Sequence, residues 1–214
     1  GESCGNAAFT KVIIDSINTT QANVVAEPIK LELPLMQSTN SQIRKKADEA
    51  IAKMAQQLCE YDAVNLQIEA GLYGTYPRDI YRRIKKLISA NKNISLTLHS
   101  PRILGQDTPR SRRLIKLVLG FRMKSVMREL SSAITNALNS RLNRKIIKFA
   151  CRNNASLTVH TQRSKNNINW LFGYDDIAVH PLKFIDSYKP KGNQLDVIRG
   201  QLGLDPQDIL IGIF

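Results

Sequence analysis

The sequence predicts an α/β fold, a Rossmann-like and mostly parallel sheet with helices on both faces. Short apolar strands alternate with amphipathic helices along most of the chain, as is typical of such sheets. The 214 residues, 43% hydrophobic and 23% charged, suffice for one large domain or two small ones with a real core. No run of eighteen apolar residues occurs, and the glycine and proline contents exclude collagen-like and low-complexity chains.

The first half of the chain shows the alternation clearly. A helix is predicted over 7–16, after the turn-forming Ser3-Cys4-Gly5-Asn6, and a short extended stretch over 24–33. Apolar residues at three- and four-residue steps predict an amphipathic helix over 41–61. A strand follows over 63–68 and ends at Glu69, beside two glycines. The pattern then predicts a helix over 77–90 and a strand over 94–99.

The alternation resumes after a basic segment. It predicts a strand over 156–160, a helix over 164–172, a strand over 177–180, a helix over 194–202 and a strand over 208–214. The polar stretch 186–193, with Pro and Gly, is the candidate linker. We therefore predict an N-terminal Rossmann-like domain over 1–190. Residues 191–214 are expected to be the linker and the first helix and strand of a second domain that is otherwise missing, as is the strand that normally precedes a glycine turn.

The net charge of +13 is concentrated in one segment. Residues 101–152 carry thirteen Lys or Arg against Asp107 and Glu129. Apolar residues at helical spacing predict a basic helical insertion over about 108–152, long enough for two helices. Its candidate membrane or acceptor patch consists of the basic residues Arg110, Arg112, Arg113, Lys116, Arg122, Lys124, Arg141, Arg144, Lys145 and Lys148.

This charge predicts an anionic partner at the insertion. Amphipathic helices rich in Lys and Arg bind anionic lipid surfaces, which favours a membrane surface. A solvated basic face without a partner is the alternative. Nucleic acid is disfavoured, because the chain has one Trp and no aromatic-rich RNA motif, zinc finger or homeodomain pattern. Three cysteines at spacings that fit neither disulfides nor zinc favour a reducing, cytoplasmic compartment.

Every histidine follows a predicted strand. His99, His160 and His180 each close one, and ligands of open parallel sheets bind beyond these carboxyl ends. An imidazole near neutrality can transfer a proton or bind phosphate, whereas a backbone hydrogen bond that caps the strand is the alternative. Glu69 ends another strand, where it is suited to hold sugar hydroxyls or to cap the next helix. The helix start at Gly5 can present N–H groups to a phosphate.

Five motifs, in their order and spacing, resemble the acceptor-side half of glycosyltransferase family 4. They are SCGNAAFT at 3–10, DAVNLQIEAGLYG at 62–74, TLHS at 97–100, TVHT at 158–161 and VHPL at 179–182. The resemblance implies a GT-B enzyme with two Rossmann-like domains. Such an enzyme transfers a sugar, with retention, from a nucleotide-sugar substrate to a glycan or lipid-linked acceptor, and it needs neither cofactor nor metal.

The resemblance also implies roles for individual residues. His99, near the transferred sugar, and Glu69 are the candidate catalytic residues. The residues that bind the donor diphosphate or line the same cleft are Gly5, Asn6, His160, Gln162, Arg163 and His180. The expected setting is bacterial polysaccharide synthesis at the inner face of the membrane, and no turnover is expected from these 214 residues alone. The rival hypothesis is a noncatalytic Rossmann-like module that docks nucleic acid or a partner protein through its basic helices.

Overall fold

The computed structural model describes residues 5–20, 23–104 and 123–181. Helices and strands alternate through these ranges, as the sequence predicts. The helices are α1 (Gly5–Thr20), α2 (Leu33–Met36), α3 (Ser41–Leu58), α4 (Pro77–Ile88), α5 (Met123–Arg152) and α6 (Gln162–Phe172), with a 3-10 turn at Ala70–Tyr73. The strands are β1 (Val64–Ile68), β2 (Ile94–Leu98), β3 (Ser156–Val159) and β4 (Ile177–Val179).

The four strands form one sheet in the order β1-β2-β3-β4, and every pair is parallel. Leu66 lies opposite Leu96, and Leu96 lies opposite Leu157, so that apolar side chains line up across the sheet. The register continues to Ile177 of β4. The predicted α/β class with a parallel, Rossmann-like sheet is confirmed. All carboxyl ends of the strands therefore lie at one edge of the sheet.

The element bounds depart from the predicted ones at their ends. The first helix is longer than the predicted 7–16, and α3 ends at Leu58 rather than residue 61. Asn40 fixes the start of α3, since its side chain accepts hydrogen bonds from the N–H groups of Gln42 and Ile43. Residues 24–32, expected to be extended, join no ladder within the described part of the chain. Pro34 opens the short helix α2, where its missing N–H needs no partner.

Several predictions of the sequence fall outside the described residues. They are the first part of the basic insertion, the linker, and the helix and strand over 194–202 and 208–214. The remainder of the insertion belongs to α5, a single helix of 30 residues. Among the helices of the described ranges, none combines the length and apolar character that a transmembrane span requires.

The hydrophobic core lies on one face of the sheet. Val64, Leu66 and Ile68 of β1 are buried, and the side chains between them are not. Helix α4 packs against both α3 and α5 over this face. The core also includes the buried residues Ile51, Ile84, Leu87, Ile88, Ile94, Leu96, Leu98, Ile146, Ile147, Leu157, Val159, Ile168 and Ile177. Burial of this apolar area is the main contribution to the stability of the sheet.

A buried cation joins the helices next to this core. The guanidinium of Arg83 on α4, 1% exposed, donates to Asp48 Oδ1 of α3 at 2.8 Å. It also donates to the carbonyl oxygens of Met36 at 3.0 Å and Tyr73 at 2.8 Å, and to that of Arg44 at 3.1 Å. A desolvated guanidinium with all these acceptors is well satisfied. One side chain thus fixes α2, α3 and the 3-10 turn relative to α4.

Candidate functional site

The histidines meet at the carboxyl edge of the sheet. His99 follows β2, His160 follows β3, and His180 follows β4, so the parallel register brings their backbones together. His160 Nε2 lies 3.2 Å from His99 Nδ1. His160 Nδ1 donates to the carbonyl oxygen of His180 at 2.8 Å, and His99 Nε2 lies 2.7 Å from Gln67 Oε1. A continuous hydrogen-bond chain therefore runs from β4 across β3 and β2 to β1.

Helix α1 contacts this chain through one aromatic ring. Phe9 meets His99 and His160 edge-on, with ring centroids 5.3 and 5.5 Å away and interplanar angles of 86° and 85°. Such edge-to-face contacts place the positive rim of one ring against the face of another. Phe9 therefore covers both imidazoles and fixes the start of α1 beside them.

The surroundings of His99 perturb its titration. Burial holds the pKa of His99 below its ordinary value, and the proximity of His160 lowers that pKa further. Both effects favour the neutral imidazole of His99. A protonated His99 beside a protonated His160 is consequently disfavoured.

Polar side chains on one face of the sheet form hydrogen bonds that lead to His99. Asn65 and Gln67 of β1 alternate with its buried residues and point to the face that carries His99. Asn65 Nδ2 donates to Ser95 Oγ at 2.8 Å and to Thr97 Oγ1 at 3.2 Å. Gln67 Nε2 in turn donates to Asn65 Oδ1. The orientation of the Gln67 amide is thus set by polar side chains of two strands.

A cavity of about 390 Å³ opens at the same edge, on the side of α5. Its polar lining includes Glu69 after β1, Arg102 after β2, and Asn139 and Asn143 of α5. Its apolar lining comes from core residues at the ends of the strands and from α4 and α5, namely Ile68, Ile80, Leu98, Ile146 and Ile147. The cavity therefore pairs an aliphatic floor with a few hydrogen-bonding groups, as small-molecule sites do.

Residues outside the cavity stabilise the part of its wall that contains Gly71 and Gly74. Gln37 Nε2 donates to the carbonyl oxygen of Gly71 at 2.9 Å, and Thr75 Oγ1 donates to that of Gln37 at 2.7 Å. Gly74 has φ +155°, and an added Cβ there would lie 3.0 Å from Arg83 Nη1. A side chain at this position would be strained in its backbone and crowded against the buried guanidinium. Gly74 is required by the turn that forms this wall.

Glu69 is half-buried in the cavity. Burial raises the pKa of Glu69 above its ordinary value, and the guanidinium of Arg102 partly offsets that rise. The segment that carries Arg102 is tied to α5, because Arg144 Nε donates to the carbonyl oxygen of Ile103 at 2.7 Å. The carboxyl group and the guanidinium therefore face the same cavity from fixed backbones.

The candidate catalytic residues lie at one edge but in different surroundings. His99 belongs to the side that carries Gln67 and His160, whereas Glu69 lines the cavity with Ile68 and Leu98 of the core face. Within the described residues no hydrogen bond joins the carboxyl group of Glu69 to an imidazole. The structure thus brings His99 and His160 together and places Glu69 in a separate cavity at the same edge.

The other predicted site residues have distinct positions. Gly5 and Asn6 are the first residues of α1, and Gln162 and Arg163 are the first, exposed residues of α6. His180 contributes its backbone carbonyl to the histidine chain. In the predicted basic patch, Lys124, Arg141, Arg144, Lys145 and Lys148 lie on α5, and Arg110, Arg112, Arg113, Lys116 and Arg122 lie outside the described residues.

Sequence reasoning missed several residues of these two groups. Gln67 carries a signal, since strand alternation places it on the same face as Asn65 and away from the core. Phe9, Asn139 and Asn143 carry none, because their positions depend on how α1 and α5 pack. Arg102 lies shortly after His99, at the end of a predicted strand. Because the basic segment contains many other Lys and Arg residues, its charge alone does not identify it as a site residue.

Metal binding finds no support in the described ranges, where no three His, Cys, Asp or Glu side chains converge. Comparison with protein-family models, with curated proteins and with solved structures finds no match to this chain.

Proposed function

We propose that the chain is the acceptor-side domain of a GT-B glycosyltransferase that moves a sugar from a nucleotide-sugar donor to a glycan or lipid-linked acceptor. One observation carries the proposal. A parallel sheet presents, at the carboxyl ends of its strands, a histidine chain beside the start of α1 and a cavity lined by Glu69. This edge is where open parallel sheets bind their ligands.

The lining of the cavity suits a sugar. A pyranose has hydroxyl groups around its rim and C–H groups on its faces, so it needs directed polar partners and an apolar surface. Glu69, Arg102, Asn139 and Asn143 supply donors and acceptors, and the isoleucines of the core face supply the surface. We assign this cavity to the acceptor.

The donor is assigned to the side of the histidines. The N-terminus of α1, a helix of 16 residues that begins at Gly5, favours an anionic group such as the donor diphosphate. His99 and His160 border the same region through Phe9. In this proposal the transferred sugar contacts His99, the reaction proceeds with retention and without a metal ion, and the second domain supplies the nucleotide site.

Binding of simple sugars to the cavity tests the acceptor assignment. Saturation-transfer NMR with a panel of hexoses and hexuronic acids is expected to show contacts that Glu69→Gln weakens at least tenfold. The matched control is Glu60→Gln, because Glu60 is exposed just after α3 and is not among the residues that line the cavity. Equal binding by both variants, or no binding by any sugar of the panel, would remove the acceptor assignment.

Transfer itself is tested in a chain joined to a donor-binding domain. His99→Ala is expected to lower the transfer rate at least tenfold, because a group that borders the reacting sugar is lost. Its melting temperature is expected to stay within a few degrees of the parent protein, since His99 lies at the edge of the core. Unchanged transfer by folded His99→Ala would refute the role of this residue.

The exposed face of α5 supports an anionic membrane surface as a partner. Met127, Ile134 and Leu138 are exposed and recur at intervals of seven and four residues. Arg141 and Lys145 continue the same face toward the end of the helix, and both are exposed. Apolar and basic groups on one helix face fit the boundary between acyl chains and anionic headgroups. We propose that α5 docks the domain peripherally on the cytoplasmic leaflet.

Vesicle sedimentation tests this docking. The protein is expected to pellet with vesicles of phosphatidylglycerol and phosphatidylcholine but not with phosphatidylcholine alone. Replacing Arg141, Lys145 and Lys148 by Gln is expected to abolish pelleting, while the same loss of charge at Lys45, Lys46 and Lys53 of α3 preserves it. Salt-sensitive binding to duplex DNA, without a preference for anionic vesicles, would instead favour the noncatalytic nucleic-acid module.

A further inference from the structure

The histidine chain is closed at both ends by hydrogen-bond acceptors. At one end His160 Nδ1 faces the carbonyl oxygen of His180 at 2.8 Å. At the other end His99 Nε2 faces Gln67 Oε1 at 2.7 Å. Because neither oxygen carries a hydrogen, each of these outer ring nitrogens must donate one.

The inner nitrogens then require a third hydrogen. His160 Nε2 and His99 Nδ1 lie 3.2 Å apart, and a hydrogen bond between them needs one hydrogen. Two neutral imidazoles carry one N–H each, so the chain with all its hydrogen bonds holds one proton more than a neutral pair. We infer that His99 and His160 form a proton-sharing couple with a single positive charge, positioned by the side-chain oxygen of Gln67 and the backbone carbonyl of His180.

The polar face of the sheet fixes the end formed by Gln67. Ser95 Oγ donates to the carbonyl oxygen of Val64 at 3.3 Å, which leaves its oxygen to accept from Asn65 Nδ2 at 2.8 Å. Asn65 therefore presents its own oxygen to the amide N–H of Gln67, and Gln67 presents its oxygen to His99. Gln67 is a positioning residue, whose orientation is traced back to a backbone carbonyl of β1.

The surroundings allow one charge and oppose a second. From α1 the couple faces the ring of Phe9, from β1 the amide of Gln67, and from β4 the carbonyl of His180. Within the described residues no carboxylate lies within ion-pair distance of either ring, and His160 is the titratable group that acts on His99. Burial and, after it, the proximity of His160 lower the pKa of His99, and the second of these effects disfavours a second proton on the couple.

Two properties of the edge follow from the couple. Every ring nitrogen is occupied, so the couple acts on a bound group through its charge rather than through a free N–H. Without the shared proton, the two neutral rings carry two N–H groups for three hydrogen bonds. Gln67 must then turn its amide so that its N–H donates to His99. The inference goes beyond the proposed sugar transfer, since the number of protons is a property of the folded domain.

Counting the ring hydrogens by NMR tests the inference directly. In the complete chain labelled with ¹⁵N-histidine, long-range ¹H–¹⁵N spectra at pH 6.0 are expected to show three hydrogens for the four nitrogens of His99 and His160. Both rings are expected to shift in the same titration step. Two neutral rings at pH 6.0, or two rings that titrate independently, would overturn the inference whatever the outcome of the sugar-transfer assays.

Substitutions of Gln67 sharpen the test. Gln67→Glu is expected to raise the apparent pKa of the couple by about one unit, because a carboxylate stabilises the shared charge, and Gln67→Leu is expected to lower it by a similar amount. His180→Ala is the control, since it keeps the carbonyl that accepts from His160 and should leave the titration unchanged. If neither Gln67 variant changes the apparent pKa of the couple, the positioning role of Gln67 is refuted. If a variant fails to fold, the spectra of the parent protein decide whether the couple exists.

Discussion

The two faces of the sheet use the same strands for different purposes. On one face Leu66, Leu96 and Leu157 stand in register beneath the helices and are almost completely buried. On the other face Asn65, Ser95 and Thr97 form a hydrogen-bonded layer that leads to the histidines. One parallel sheet thus derives its stability from one face and carries its polar groups on the other.

The two faces differ in the kind of energy they supply. Burial of apolar area stabilises by about 25 cal/mol per Å² and does not depend on direction. A typical hydrogen bond adds a net of only about 1 kcal/mol, but it fixes orientation. We therefore expect substitutions on the apolar face to change the free energy of unfolding, and substitutions on the polar face to change the charge and geometry of the edge.

The largest effect is expected for neighbouring residues of β2. Leu96→Ala is expected to lower the free energy of unfolding by about 3 to 4 kcal/mol, because Leu96 is fully buried and a cavity remains. Thr97→Val, on the opposite face, removes the hydrogen bonds to Asn65 and is expected to cost about 1 kcal/mol. Urea unfolding of both variants measures the difference. Equal losses would show that the polar face contributes as much to stability as the apolar face.

A somewhat smaller loss of stability is expected when the buried cation Arg83, next to the apolar core, is replaced. Arg83→Met is expected to cost about 3 kcal/mol, because three backbone carbonyls lose a donor and Asp48 loses its buried partner. Arg82→Met is the matched control. Its guanidinium pairs with Asp48 and with the buried Asp79 but is half exposed. Because Asp79 keeps Arg44 as a partner, removal of Arg82 is expected to cost about 1 kcal/mol.

Urea unfolding of Arg83→Met and Arg82→Met also tests whether Arg83 stabilises the wall of the cavity. Arg83 donates to the carbonyl oxygen of Tyr73, next to Gly74. If Arg83→Met proves no more destabilising than Arg82→Met, the buried guanidinium fixes neither the cavity wall nor the 3-10 turn.

Much of the fold follows from local patterns. Helix α3 is predictable because its buried residues Ala47, Ile51, Ala55 and Leu58 recur at three- and four-residue steps. The meeting of His99 and His160 is predictable in outline, because parallel strands end at one edge. The bounds are less predictable, since a cap such as Asn40 or the proline of α2 decides them within one turn.

The candidate site is only partly encoded in such patterns. Asn65 and Gln67 alternate with buried neighbours, which indicates that one face of the sheet is polar. The prediction of helices on both faces does not by itself specify this polar face. Asn139 and Asn143 reach the cavity because α5 packs against α4, and no local signal near Glu69 contains that information. Contacts between distant segments therefore set the chemistry that periodicity leaves open.

The smallest effect is expected in the pH dependence of stability. The pKa of His99 is lowered in the folded state, so between that value and the unfolded value of about 6.5 the unfolded chain binds more protons. The stability associated with the neutral ring is fully present above about pH 6.5 and is lost as the pH falls through the folded pKa. His99→Gln is expected to flatten this part of the curve in urea unfolding from pH 7.5 to 5.0.

Glu69 on the other side of the edge titrates with the opposite sign. Its raised pKa makes the folded state bind more protons, so its contribution to stability grows as the pH falls through that pKa. The difference curve between the parent protein and His99→Gln isolates the histidine, and Glu69→Gln isolates the carboxyl group. Because the two groups lie on different faces, the double variant should show the sum of both differences. A large departure from additivity would mean that the couple and the cavity form one coupled site.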